Sequence, residues 1–249
     1  VFPDFRETLT LQKDYSLGFI RQTPPGGYPI YKGKGNFDQE IRLSNMGLRG
    51  AGDLKFSTSF SKVPDLIFFP DSANGMASTF DVKEQDNPEF PTAHGDSVRL
   101  HFMPYQDLLE AYDLKRPFVS YKEKVTFRGR YDLTFKDLQG DGVVEFEKAS
   151  LASRNIVFAR RKMYSDTANF KLKAFEEEGL TFSTVNVNAK IDFDARVGEF
   201  VTNGEGSYVK FDKNQYIAYM ERFKWYMDAE DIELGDTQKK LAVNPEEES

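Results

Sequence analysis

Leu48-Arg49-Gly50-Ala51-Gly52-Asp53-Leu54-Lys55-Phe56 and, 90 positions later, Leu138-Gln139-Gly140-Asp141-Gly142-Val143-Val144-Glu145-Phe146 decide the reading of this chain. Both follow the pattern L-x-G-x-G-x-[LV]-x-F. The apolar members stand even steps apart, so on a strand they point to one side. The glycines share that parity. A glycine inside a strand admits a bulge, a sharp bend or a close backbone approach. A bend at the same place in each copy predicts a sheet that curls over itself.

The same shift of 90 aligns the surroundings. Phe37 falls on Phe127, Ile41 on Tyr131 and Leu43 on Leu133; Leu66, Ile67 and Phe68 fall on Ile156, Val157 and Phe158. Phe80 and Val82 meet Phe170 and Leu172, Leu100 and Phe102 meet Ile191 and Phe193 after a slip of one, and Phe118, Val119 and Tyr121 meet Tyr208, Val209 and Phe211. Between them run short period-2 segments such as Leu133-Thr134-Phe135 and Phe170-Lys171-Leu172, bounded by Gly, Asn, Asp and Pro. That is strand-and-turn chemistry. A third copy begins near Ile217, where Tyr219, Phe223, Trp225 and Met227 overlay Phe127, Tyr131, Leu133 and Phe135 with a slip of two.

The predicted fold is therefore all-β, an elongated repeat architecture of about two 90-residue copies: a curled sheet, a β-solenoid or stacked β units. The expected organisation is a connecting segment over 1–35, repeat 1 over 36–125, repeat 2 over 126–215, and over 216–249 a truncated third repeat with a polar tail. Residues 104–112 carry a helical stripe of Leu108, Leu109 and Tyr112, which leaves one short helix open there beside a strand. Residues 216–227 fit both periods, and the repeat favours strand. The chain starts at Val1, and the third copy runs off its end, so a fragment of a longer parent is expected.

Composition narrows the class. Aromatics reach 14%, far too many for a disordered chain. Net charge is −7, and no basic run exceeds Arg160-Arg161-Lys162, so a nucleic-acid partner is not expected. Zero cysteines remove disulfides, thiolate metal sites and cysteine catalysis together. No stretch is long and apolar enough for a transmembrane helix.

The cadence of Leu48 to Val82 and Leu138 to Leu172, with the later phrase Ser165-Asp166-Thr167-Ala168-Asn169-Phe170, resembles large β-repeat envelope proteins of Gram-negative bacteria, the OstA/LptA-like and AsmA/TamB-like families. The resemblance spans about residues 36 to 234 and carries over no functional residue. It implies an extracytoplasmic location, periplasmic or outer-membrane associated. It also implies a curled sheet that carries acyl chains along an apolar trough.

Chemistry-bearing motifs are sparse. His94 and His101 lack metal-site spacing. Asp137-Leu138-Gln139-Gly140-Asp141-Gly142 and Asp228-Ala229-Glu230-Asp231 supply oxygen ligands but not the calcium-loop order, and the first copy has Gly47 and Ala51 where the second has Asp137 and Asp141. Ser61, Ser72 and Ser153 sit in no nucleophile elbow. Tyr216, Tyr219, Trp225 and Tyr226 suit sugar stacking if exposed and core packing if not. No residue is assigned a catalytic, cofactor-binding or metal role; no enzyme activity and no cofactor are expected.

Three functions follow in order. The first is a non-enzymatic structural or interaction module of an envelope protein, whose partners are other envelope proteins or the rest of its parent. The second is a lipid- or lipopolysaccharide-handling groove. The third is a carbohydrate-binding β domain. They predict, respectively, a filled core, a long open apolar trough, and a cleft with exposed aromatics.

Overall fold

The computed structural model describes residues 1–2, 6–122, 124–173, 180–204, 208–229 and 231–235. Strands make up 67% of the described residues, as the alternating runs require. They are β1 (Thr10–Leu11), β2 (Leu17–Gln22), β3 (Tyr28–Ile30), β4 (Gly35–Ser44), β5 (Gly47–Phe56), β6 (Ser59–Phe68), β7 (Ala73–Val82), β8 (Gln85–Asp86), β9 (Glu89–Phe90), β10 (Ala93–Met103), β11 (Leu108–Asp113) and β12 (Phe118–Ser120). There follow β13 (Val125–Leu133), β14 (Leu138–Glu145), β15 (Ala149–Phe158), β16 (Lys162–Lys173), β17 (Leu180–Asp192), β18 (Val197–Thr202), β19 (Val209–Phe211), β20 (Tyr216–Ala218), β21 (Arg222–Tyr226) and β22 (Ile232–Gly235). The β8–β9 hairpin stands apart; the other 20 strands form one antiparallel sheet, largely in chain order.

The strands recur at a spacing of 90 residues. β15 lies 90 residues after β6 at both ends, and β12 lies 90 residues after β3 at both ends. Residues 17–30, expected to be a connecting segment, thus form β2 and β3, which pair with β4 as β11 and β12 pair with β13. Of the Pro- and Gly-rich run at 23–29, residues 23–27 are the turn between them, and Tyr28 and Pro29 already belong to β3. Near the other end, Trp225 meets the Phe146 ring as Phe135 meets Phe56, which is the spacing without the expected slip. Tyr219, expected to overlay the buried Phe127, is 80% exposed.

One inward register row explains the curl. It runs Ile41, Gly50, Leu66, Gly75, Leu100, Ala111, Tyr131, Gly140, Ile156 across neighbouring strands, alternating large with small. Small residues on alternate strands let the inner face tighten around the large ones. At Gly50 a Cβ would stand 2.5 Å from the Phe37 ring; at Gly140 it would stand 2.7 Å from Phe158 and 2.9 Å from Phe127. Each glycine is the slot for two rings that meet edge to face, Phe37 with Phe68 and Phe127 with Phe158, both at 5.2 Å. A register shift follows each slot, between Gly50 and Gly52 and between Gly140 and Gly142.

The outward row one position away ends in alternating charges, Lys190, Glu199, Lys224 and Glu233, with Lys224 and Glu199 paired at 3.3 Å. It is the solvated face that a one-sided sheet needs.

The helix-or-strand alternative over 104–112 resolves to strand after a single turn. Pro104–Gln106 make one 3-10 turn, Asp107 takes a left-handed φ of 52°, and β11 begins. Leu109 and Ala111 are fully buried against Leu133 and Tyr131, and that cross-strand packing overrides the local helical stripe. Residues 216–227 are strand at β20 and β21, as the repeat favoured. The acidic tail, 244–249, lies outside the described residues.

Candidate functional site: the seam of the rolled sheet

The turns before β4 and β13 read Tyr31-Lys32-Gly33-Lys34 and Tyr121-Lys122-Glu123-Lys124. In both, the tyrosine and the next lysine take left-handed φ angles, 51° and 59° in the first and 54° and 56° in the second. This geometry swings the tyrosine away from its own strand into the interior. The Tyr31 hydroxyl donates to the carbonyls of Phe69, at 2.8 Å, and of Ser72 in the β6–β7 turn. The Tyr121 hydroxyl donates to the Lys162 carbonyl at the start of β16, 2.8 Å away and 90 residues beyond Ser72. Each tyrosine therefore bolts one end of its strand set to the opposite end of strands further along. The sheet is rolled so that these two ends meet along a seam.

Aromatic rings line the seam. Tyr31 meets Phe102 at 5.8 Å, and Tyr121 stacks on Phe193 at 3.8 Å. Phe56 lies 5.0 Å from Phe102 and 4.7 Å from Phe135; Phe146 lies 6.4 Å from Phe193 and 5.1 Å from Trp225. Burial pushes the phenols of Tyr31 and Tyr121 well above the usual tyrosine range, so both stay neutral donors. Arg160, in the β15–β16 turn, adds a charged clasp: it reaches Glu84 at 2.6 Å and also pairs with Asp86 in the β8–β9 hairpin.

A cavity of about 500 Å³ opens at the second-copy seam over Phe146, Trp225 and Met227. Its rim carries Lys124, Glu145 and Arg196. Arg196 is held by Asp228 at 2.6 Å and Glu145 by Lys173 at 2.7 Å, so much of the rim charge is already paired. Arg196 in turn holds the Asp228 carboxyl below its ordinary range.

The residues singled out in the sequence do not converge. His94 and His101 lie on one strand, seven residues or roughly 23 Å apart. His94 Nδ1 bonds Asp81 at 2.7 Å, which raises its pKa, and His101 Nδ1 bonds Glu110 at 3.2 Å. Among the described residues no group of three or more His, Cys, Asp and Glu is placed to hold a metal. Asp137 closes a turn through Thr134 at 2.6 Å and Gln139 at 2.8 Å, while Asp141 faces outward on β14. Glu230 lies outside the described residues. Ser61 is buried; Ser72 gives its carbonyl to Tyr31; Ser153 donates to the Thr167 carbonyl at 2.6 Å. The aromatic quartet is split: Tyr216 and Tyr219 are exposed, Trp225 is core, and the Tyr226 hydroxyl bonds Glu233 at 2.6 Å. The seam tyrosines were not selected from sequence, although Tyr-Lys-x-Lys recurring at a spacing of 90 was there to be found.

Compared with known proteins, the chain matches no family model, no curated protein and no solved structure.

Proposed function

We propose that this chain is a non-enzymatic structural or interaction module, a rolled β-repeat that holds a fixed shape and presents its charged outer face. We place it in the envelope of a Gram-negative bacterium, a placement supported only by the resemblance of the L-x-G-x-G-x-[LV]-x-F cadence to envelope β-repeat families. The observation that carries the structural reading is the filled interior. Phe37, Phe80, Phe102, Phe127, Phe158 and Phe170 are all completely buried among other core side chains. A groove for acyl chains calls for an apolar trough open along one side, and in the described residues that volume holds phenylalanine rings in contact with one another.

The test is native mass spectrometry of the gently purified chain, followed by solvent extraction and lipid analysis. The structural reading expects the bare protein mass and no stoichiometric lipid. A reproducible co-purified acyl species would move the lipid-handling reading ahead of it.

A further inference from the structure

The repeat supplies an internal control: a feature present in one copy only is not needed to build the fold. In copy one the ladder between β6 and β7 skips two residues per strand, between the pairs Lys62–Thr79 and Asp65–Met76. In copy two the matching ladder between β15 and β16 skips four, between Ala152–Asn169 and Val157–Tyr164. The widened gap is held by side chains instead of ladder bonds. Ser153 donates to the Thr167 carbonyl at 2.6 Å, Ser165 lies 2.8 Å from the Ser153 hydroxyl, and Asn203 donates to the Asp166 carbonyl at 2.7 Å.

Over this gap lies an outer-face cleft of about 480 Å³. Its floor is Gly142, Val143 and Ala152, and its walls include Asp141, Arg154, Thr167 and Asn169. Ala51, Pro64, Ala77 and Thr79 stand 90 residues before those four walls. Among the described residues, the Asp141 carboxylate, the Arg154 guanidinium, the Thr167 hydroxyl and the Asn169 side-chain amide nitrogen have no hydrogen-bond or ion-pair partner. The Asn169 side-chain oxygen accepts from the Asn186 backbone at 3.1 Å, which fixes the direction of its free NH2 group.

We propose that this cleft binds a neutral glycan. Sugar hydroxyls both donate and accept. The four free groups provide an acceptor-only carboxylate, a donor-only guanidinium, an amide donor and a hydroxyl that does both. Asp141 and Arg154 cancel in charge, which favours an uncharged ligand. The small apolar floor suits the C–H face of a pyranose ring. The inference does not depend on the structural-module reading, because the cleft lies on the outer face and the filled core lies on the inner one.

The test is an NMR titration of the isotope-labelled whole chain with maltohexaose, cellohexaose and chitohexaose. At least one saccharide is expected to shift the amide signals of residues 142–143, 152–154 and 167–169 with a Kd of about 1–10 mM, the range of a shallow polar site. A variant carrying the first-copy residues, Asp141→Ala, Thr167→Ala and Asn169→Thr, is expected to keep its thermal melt and lose affinity at least about tenfold. The single variant Arg154→Ala, at an exposed position, is expected to weaken binding in the same direction and guards against misfolding of the triple variant. The proposal is overturned if no saccharide binds up to about 20 mM, if the shifts cluster elsewhere, or if the folded variants bind as the parent does.

Discussion

Gln39 runs at a φ of 91°, and 90 residues later the same ladder position is Gly129, at 142°. Left-handed backbone strains a side chain that carries a Cβ and costs a glycine nothing. Gln39 is tolerated because its partner Gly52 leaves room: a Cβ on Gly52 would sit 2.8 Å from the Gln39 Cβ. At Gly129 the partner is again a glycine, Gly142, but the backbone comes closer: a Cβ would stand 2.1 Å from the Asp141 carbonyl oxygen. The two copies therefore respond differently. Gln39→Gly relieves strain, loses the exposed bond from its amide to Asp53, and should leave stability within about 1 kcal/mol of the parent. Gly129→Ala should cost more than about 2 kcal/mol. Urea denaturation of both variants checks the asymmetry; equal costs would contradict it.

At the scale of elements, the seam tyrosines make the sharpest claim. Tyr121→Phe keeps the ring stacked on Phe193 and removes one hydrogen bond to a backbone carbonyl, for an expected cost of about 0.5–1.5 kcal/mol. Tyr31→Phe should behave alike. The pH dependence has a definite sign. Folding raises the pKa of Tyr31, Tyr121 and Tyr131 through burial, so the folded chain keeps protons that the unfolded chain releases above about pH 10. Their contribution is fully present below that value and is lost as pH rises through the folded values. Alkaline titration followed by tyrosinate absorbance should show these three ionising only together with unfolding. A smooth titration of all the tyrosines in the still-folded chain would contradict this. These elements also show what sequence reveals. Strands such as β5 and β14 were legible because alternation and a shared glycine pattern are local properties. β11 was not, because Leu108, Leu109 and Tyr112 satisfy a helix locally and only burial against Leu133 and Tyr131 decides otherwise. The seam was legible only as the recurrence of Tyr-Lys-x-Lys at a spacing of 90; its contacts were not, because a hydroxyl reaching a carbonyl some 40 residues away leaves no periodic trace. The widened gap between β15 and β16 was half visible, as Thr167 and Asn169 opposite the first copy's Ala77 and Thr79.

At the scale of the molecule, one continuous sheet is wound so that strand ends meet, and side chains rather than ladder bonds close the contact. The same ring contacts occur twice, Phe56 with Phe102 and Phe135, then Phe146 with Phe193 and Trp225. A shape built this way depends on both turns being filled, so the central claim is that the two copies carry equal structural weight around Phe56 and Phe146. The most direct measurement is the unfolding free energy of Phe56→Ala beside that of Phe146→Ala. Both should be destabilised by about 3–5 kcal/mol, the cost of emptying a packed aromatic site. If either variant unfolds at the same denaturant concentration as the parent, the equivalence fails, and with it the account of the chain as one filled, twice-repeated roll.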